Sequence, residues 1–222
     1  MVVDHRAIGA ELIGTAFLLA GVVGSGIMAE RLTDDVGLQL LQNAVATGGV
    51  LIALIAALSA TSGAHLNPAV TLAERVTGGI DNATALAYVA AQVVGGILGV
   101  VAANLMFDLD AVYWSEKARG GSGQLLAEVI ATFGLVLVIF GCVRAGKSEA
   151  VPLTVGAYIT GAYYFTSSTS FANPAVSVGR MFSNTFAGIE PSAVPGFVAA
   201  QVVGALLAAA AVRWLFAVAT NP

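Results

Sequence analysis

The tripeptide Asn-Pro-Ala occurs twice, at Asn67, Pro68 and Ala69 and again at Asn173, Pro174 and Ala175, each time followed by Val. Asparagine caps helices through its side-chain oxygen and proline suits the first helical position, so either tripeptide alone says only that a helix begins there. Each one, however, follows a long apolar segment and a Ser/Gly-rich stretch, and each opens a segment too short to cross a bilayer. A carboxamide at the head of such a segment offers hydrogen bonds to a polar solute at membrane depth. Four more polar residues interrupt apolar segments: Glu11, Gln92, Glu128 and Gln201. Irregular backbone inside a membrane needs acceptors for its freed N–H groups. Glu11 and Glu128 are expected to supply them, and Gln92 and Gln201 to act with them as buried scaffold rather than as proton relays, the other use for an intramembrane acid.

The segments that must position these residues are repeated. The run Val89-Ala-Ala-Gln92-Val-Val-Gly95 recurs unchanged as Val198 to Gly204, and Glu11-Leu-Ile-Gly-Thr15 matches Glu128-Val-Ile-Ala-Thr132. The order Glu span, middle span, box, Gln span holds in both halves, about 1–110 and 120–222, of one domain. Three spans per half turn the second half upside down relative to the first, and transport sites of such inverted repeats lie near the midplane. Hydrophobic residues make up 58% of the chain and charged ones 10%, which predicts an all-α polytopic membrane protein. Six apolar stretches stand out, near Ile8–Ala29, Leu38–Ala60, Ala83–Phe107, Gln124–Val143, Val151–Phe165 and Ala193–Val218, of which the fifth is short for a span of about 20 residues. The first carries Glu11 and reads as a retained span, not a cleaved signal.

This topology puts Arg6, Arg75, Arg144, Lys147 and Arg213 inside and Arg31, Lys117 and Arg119 outside, a basic bias that places both termini in the cytoplasm, with the bilayer of the cell membrane as the surroundings. The net charge of −4 argues against a nucleic-acid partner. Cys142 is the only cysteine, which excludes an intrachain disulfide. No nucleophile–base pair, metal-ligand cluster or phosphate-cradling loop is visible, so neither an enzyme nor a cofactor or metal site is expected. Only Glu11 and Glu128 could serve a proton-coupled secondary transporter, and the loops already require them. The lack of a long soluble tail or loop speaks against a structural scaffold.

The segment Ser62-Gly-Ala-His65-Leu-Asn67-Pro-Ala-Val-Thr71, the second box and the repeated Gln-bearing helices resemble the aquaporin or major intrinsic protein family, in its order and over essentially the full length. The resemblance implies six transmembrane helices plus two half-helices that start at Pro68 and Pro174 and meet at the midplane. Asn67 and Asn173 then present amides to the permeant. It also implies a homotetramer with one pore per subunit, for which Gly95, Gly96 and Gly99 offer a small-residue face. His65, just before the first box, is expected to pack or to tether the loop, with gating as the alternative.

The chain departs from the family where the second box is usually followed by Arg and here by Val176. Carrying over the rest of the family's selectivity filter by spacing gives Thr47, Gly161 and Ser170, with Tyr163 in place of Gly161 if the short fifth span is shifted. Such a ring has small side chains, two hydroxyls and no fixed charge. It implies a passive channel for small uncharged solutes: glycerol-like polyols, trivalent or methylated arsenicals, and some water. The segment Thr169 to Val176 resembles a bacterial arsenic-associated branch of the aquaglyceroporins, although Ser177 stands where glycerol facilitators carry Asp. The alternative is a water-selective or general glycerol channel without a metalloid role. Arg180 lies one helical turn beyond Val176 on roughly the same face; it lines the outer mouth, or, as the preferred expectation, snorkels outward or pairs with Glu190.

Overall fold

The computed structural model describes residues 4–216, in which eight α-helices follow one another: α1 (His5–Leu32), α2 (Val36–Ser62), α3 (Pro68–Thr77), α4 (Asn82–Met106), α5 (Gly121–Arg144), α6 (Val151–Phe165), α7 (Pro174–Arg180) and α8 (Val194–Leu215). Single 3₁₀ turns at Ser148–Ala150 and Pro191–Ala193 lead into α6 and α8. Aspartates mark three of the starts: Asp4, Asp35 and Asp81 accept hydrogen bonds from Arg6 N, Leu38 N and Thr84 N, satisfying N–H groups that have no partner within the helix. Gly63 ends α2 at φ 84°, the left-handed conformation that turns the chain back into the protein.

Five helices, α1, α2, α4, α5 and α8, are long and apolar enough to cross a membrane. The predicted spans match them closely, except that Ala217 and Val218, at the end of the sixth, lie outside the described residues. α6 has 15 residues and reaches about 22 Å. It makes the remaining crossing together with its leading 3₁₀ turn, wedged between α2 and α5. Six crossings bring residues 4 and 216 to one face. Arg6, Arg75, Arg144, Lys147 and Arg213 lie towards that terminal face, and Arg31, Lys117, Arg119 and Arg180 towards the distal one.

The two halves pack alike. α1 lies on α4 and α2, α5 lies on α8 and α6, and α2 meets α6 across the middle. The half-helices cross over: α3 packs mainly on α8 and α7 mainly on α4, so each half holds the other's re-entrant segment. Glycine sets the long-helix spacing, because a Cβ on Gly95 would sit 2.2 Å from Leu12 O, one on Gly99 2.0 Å from Ala16 O, and one on Gly204 2.5 Å from Val129 O. This corrects the expected subunit face. Gly95 and Gly99 are consumed by α1, and Gly96 faces Ala175 O of α7 at 3.2 Å, all within one chain.

Gly99→Ala is therefore expected to lower stability by roughly 1–3 kcal/mol, the usual range for overpacking a tight contact. Gly49→Ala, where an added Cβ meets nothing within 4 Å, is expected to leave it unchanged or to raise it by up to about 1 kcal/mol, the usual gain for alanine over glycine inside a helix. Thermal melting of the purified protein followed by size-exclusion fluorescence checks both.

Candidate pore

Two re-entrant loops, residues 63–67 and 166–173, carry the boxes inward. Each places non-glycine residues in the left-handed region, Ala64 and Leu66 at φ 49° in the first, Ser170 at 51° and Ala172 at 48° in the second. Such conformations cost on the order of 1–3 kcal/mol each and need to be held. Glu11 and Glu128, both fully buried, hold them. Glu11 accepts from His65 N at 2.9 Å, Leu66 N at 2.7 Å, Ser62 Oγ at 2.6 Å and Gln92 Nε2 at 2.7 Å. Glu128 repeats the pattern with Phe171 N at 2.9 Å, Ala172 N at 2.8 Å and Gln201 Nε2 at 2.6 Å. The glutamines donate onward to the half-helices, Gln92 to Thr71 Oγ1 and Gln201 to Ser177 Oγ.

Each box asparagine works in two directions. Asn67 Oδ1 caps α3 by accepting from Ala69 N at 2.8 Å, and Asn173 Oδ1 caps α7 by accepting from Ala175 N at 2.9 Å. Their amides cross the midplane, Asn67 Nδ2 donating to Ala172 O and Asn173 Nδ2 to Leu66 O, each at 2.8 Å. The half-helices thus meet head to head. A carboxamide nitrogen has two hydrogens, so one on each asparagine is left to face the space between. Both asparagines line a cavity of about 760 Å³ running between the helices.

That cavity is also lined by Thr47, Tyr163, Ser170, Val176 and Arg180 towards the distal face and by His65, Glu74 and Arg144 towards the terminal face. Gly161 is not among its walls: it is exposed on the outside of α6. Tyr163 takes the α6 position, its hydroxyl 3.0 Å from Thr47 Oγ1. Two residues along a helix is a rotation of about 200°, so the register of a short span decides which one looks inward. His65 is tethered, with its N–H on Glu11, Nδ1 3.1 Å from Thr71 Oγ1 and its ring edge-on to Tyr88.

Arg180 does not snorkel, and it does not pair with Glu190. It is 2% exposed, its guanidinium lies 3.5 Å from the centroid of the Phe171 ring and its Nε donates to Ala187 O. Arg119 covers Phe171 as well, at 4.9 Å. Sequence reasoning missed Arg119, Lys117 and Phe171. Nothing local marks a loop arginine as turned inward onto an aromatic ring, whereas an aromatic residue two positions before the second box is a usable signal. Lys117 donates to Phe186 O, and burial, reinforced by Arg119 and Arg180 nearby, lowers its ammonium to about 8.

Residues 2–170 match the Major intrinsic protein family. The chain belongs to the major intrinsic protein family. It is 52% identical over 206 residues to aquaglyceroporin AqpS of Rhizobium meliloti, covering 93% of this chain and 88% of that protein. Aquaporin NIP1-1 of Zea mays is 32% identical over 90% of this chain and 71% of its own length. The X-ray structure of the aquaglyceroporin from Plasmodium falciparum superposes with a TM-score of 0.76, at 19% identity, over 97% of this chain and 96% of that one; at that identity it speaks for the fold alone. Members of this family are channels and not enzymes, so the protein is a multi-pass membrane channel for small solutes.

Inward-facing Arg180 adds positive charge to a pore whose midplane already carries two positive helix ends. Arg180→Gln is expected to raise proton or potassium leak in proteoliposomes severalfold while neutral-solute flux persists. An unchanged ion conductance contradicts this role.

Proposed function

We propose that the protein is a passive channel for small uncharged solutes, glycerol-like polyols and trivalent or methylated arsenicals, with some water, formed by a single domain over residues 1–222. The observation that carries the reading is Val176, buried in the cavity wall next to Asn173 where the family usually has Arg. With an isopropyl group at this point the wall offers no donor there, and Arg180, one turn farther out, leaves room beside it. Thr47 and Tyr163 supply hydroxyls along the same wall, which suits a solute rich in OH groups. Trihydroxyarsenic is neutral near pH 7 and has that character; a methylated arsenical adds an apolar face that matches Val176. The name of the Rhizobium relative, an aquaglyceroporin, points to the polyol class.

Passive conduction rather than proton coupling is supported by Glu11 and Glu128, whose oxygens are committed to the loops. We infer further a homotetramer in the cell membrane with both termini in the cytoplasm, a reading supported by the family resemblance and by the basic residues of the terminal face, and cross-linking in membranes tests the assembly. One observation favours the second reading, a water or general glycerol channel with no metalloid role. The Tyr163 ring occupies wall space that glycine would have left open and ties its hydroxyl to Thr47.

Stopped-flow light scattering on proteoliposomes separates the two. Val176→Arg is expected to cut glycerol and arsenite flux about tenfold or more, equivalent to ~1.4 kcal/mol or more of barrier, while water flux changes far less. High water flux in the native protein, with arsenite no faster than in empty vesicles, removes the metalloid reading.

A further inference from the structure

Three of the chain's nine basic residues converge at the distal mouth. Lys117 Nζ donates to Phe186 O at 2.6 Å, Arg119 Nε to Gly188 O at 2.8 Å, and Arg180 Nε to Ala187 O. Arg119 and Arg180 share the Phe171 ring. Every hydrogen bond these three side chains make among the described residues ends on a main-chain carbonyl, the weaker ones of Arg119 to Ser168 O and Phe186 O included. None reaches a carboxylate. Glu128, the acid buried nearest in the fold, is committed to Phe171 N, Ala172 N and Gln201, and Glu30 and Glu116 are exposed.

Like charges crowded at a largely desolvated mouth are expensive, and the carbonyl dipoles together with the charge of Glu128 offset only part of that cost. One polar group at this mouth also remains open towards the cavity. The Nη1 and Nη2 groups of Arg180 have no protein partner among the described residues, although the side chain is 98% buried by its 2% exposure. A guanidinium presents two parallel N–H donors that fit two oxygens of one anion.

We propose that this mouth is a binding site for small oxyanions, carboxylate, sulfonate or phosphate-like, with the Arg180 guanidinium as the direct donor and Arg119 and Lys117 raising the local potential, and that an anion seated there plugs the pore. The anion stays because it would have to give up these donors to move on. The cavity beyond is walled by Val176, Leu18, Val22 and Leu51 and meets no further cationic side chain until Arg144 at the other end. The same charge that repels cations thus makes the open channel sensitive to the anions around it. The plug rests on the channel reading but not on which neutral solute is carried.

The test uses methanesulfonate, which stays ionised at every workable pH and cannot cross as a neutral acid. Proteoliposomes with the anion on both sides, matched in osmolarity and ionic strength by sodium chloride, are assayed for water and glycerol flux. Calorimetric titration of the detergent-solubilised protein reports binding independently of any flux. The expected result is saturable binding and at least a fivefold loss of flux in the native protein. In Lys117→Gln and in Arg119→Gln the anion affinity is expected to fall about three- to tenfold, each variant being compared with its own anion-free flux. No binding to the native protein overturns the site, as does equal affinity in both variants; binding without loss of flux overturns the plug. Absence of glycerol flux with water flux intact counts against the polyol reading alone, because the anion effect is then still read on water.

Discussion

Two fully buried carboxylates organise this protein. Glu11 and Glu128 each accept two adjacent main-chain N–H groups of a re-entrant loop and one glutamine amide. Hydrogen bonds to a charged group contribute about 1.5–3 kcal/mol each, enough to offset the left-handed residues that bend Ala64, Leu66, Ser170 and Ala172 into place. An ionised carboxylate is the fitting acceptor because it has only lone pairs to present. Without that clamp, the loop N–H groups would be orphaned at a depth where no lipid can receive them. The half-helices, the asparagines and the cavity wall all hang from it.

The clamp also explains why neither half is sufficient. Asn67 reaches Ala172 and Asn173 reaches Leu66, while α3 packs mainly on α8 and α7 mainly on α4. The pore is thus the seam between two inverted copies. Two helix starts face that seam, and their partial positive charge disfavours cations while leaving a neutral solute free to accept hydrogen bonds. What distinguishes the chain is the distal side of the seam. There the apolar Val176 lies next to the box, and cationic charge is displaced outward onto Arg180, stacked on Phe171.

Much of the frame was legible in the sequence because it is repeated and because the bilayer tolerates few alternatives. A glutamate in an apolar segment, a matching glutamine and a box with a shared order constrain one another strongly. The misreadings lie where geometry depends on a rotation of one residue or on a loop. Gly161 and Tyr163 differ by half a turn of α6, and only the packed position of that short helix puts Tyr163 inward. Arg180 lies on the face of Val176 that helical spacing indicates, but the preferred expectation, snorkelling or a pair with Glu190, does not hold. The structure gives it an aromatic ring and the carbonyl of Ala187, groups that sequence cannot bring together without the fold of residues 181–193. Gly95 and Gly99 are small for the sake of a close contact, as the sequence implies, yet the contact is with α1 of the same chain.

Glu128→Gln is the most direct test of the clamp, because it keeps size and shape while replacing one acceptor with an N–H₂ donor that opposes the N–H groups of Phe171 and Ala172. Thermal stability and neutral-solute flux should be measured on the same preparation. The account predicts a loss of roughly 3 kcal/mol or more, the range for disrupting a buried charged network, together with collapse of flux in whatever protein remains folded. Native melting and native flux in Glu128→Gln would contradict it, and would mean that the pore loops hold their shape without the buried charge.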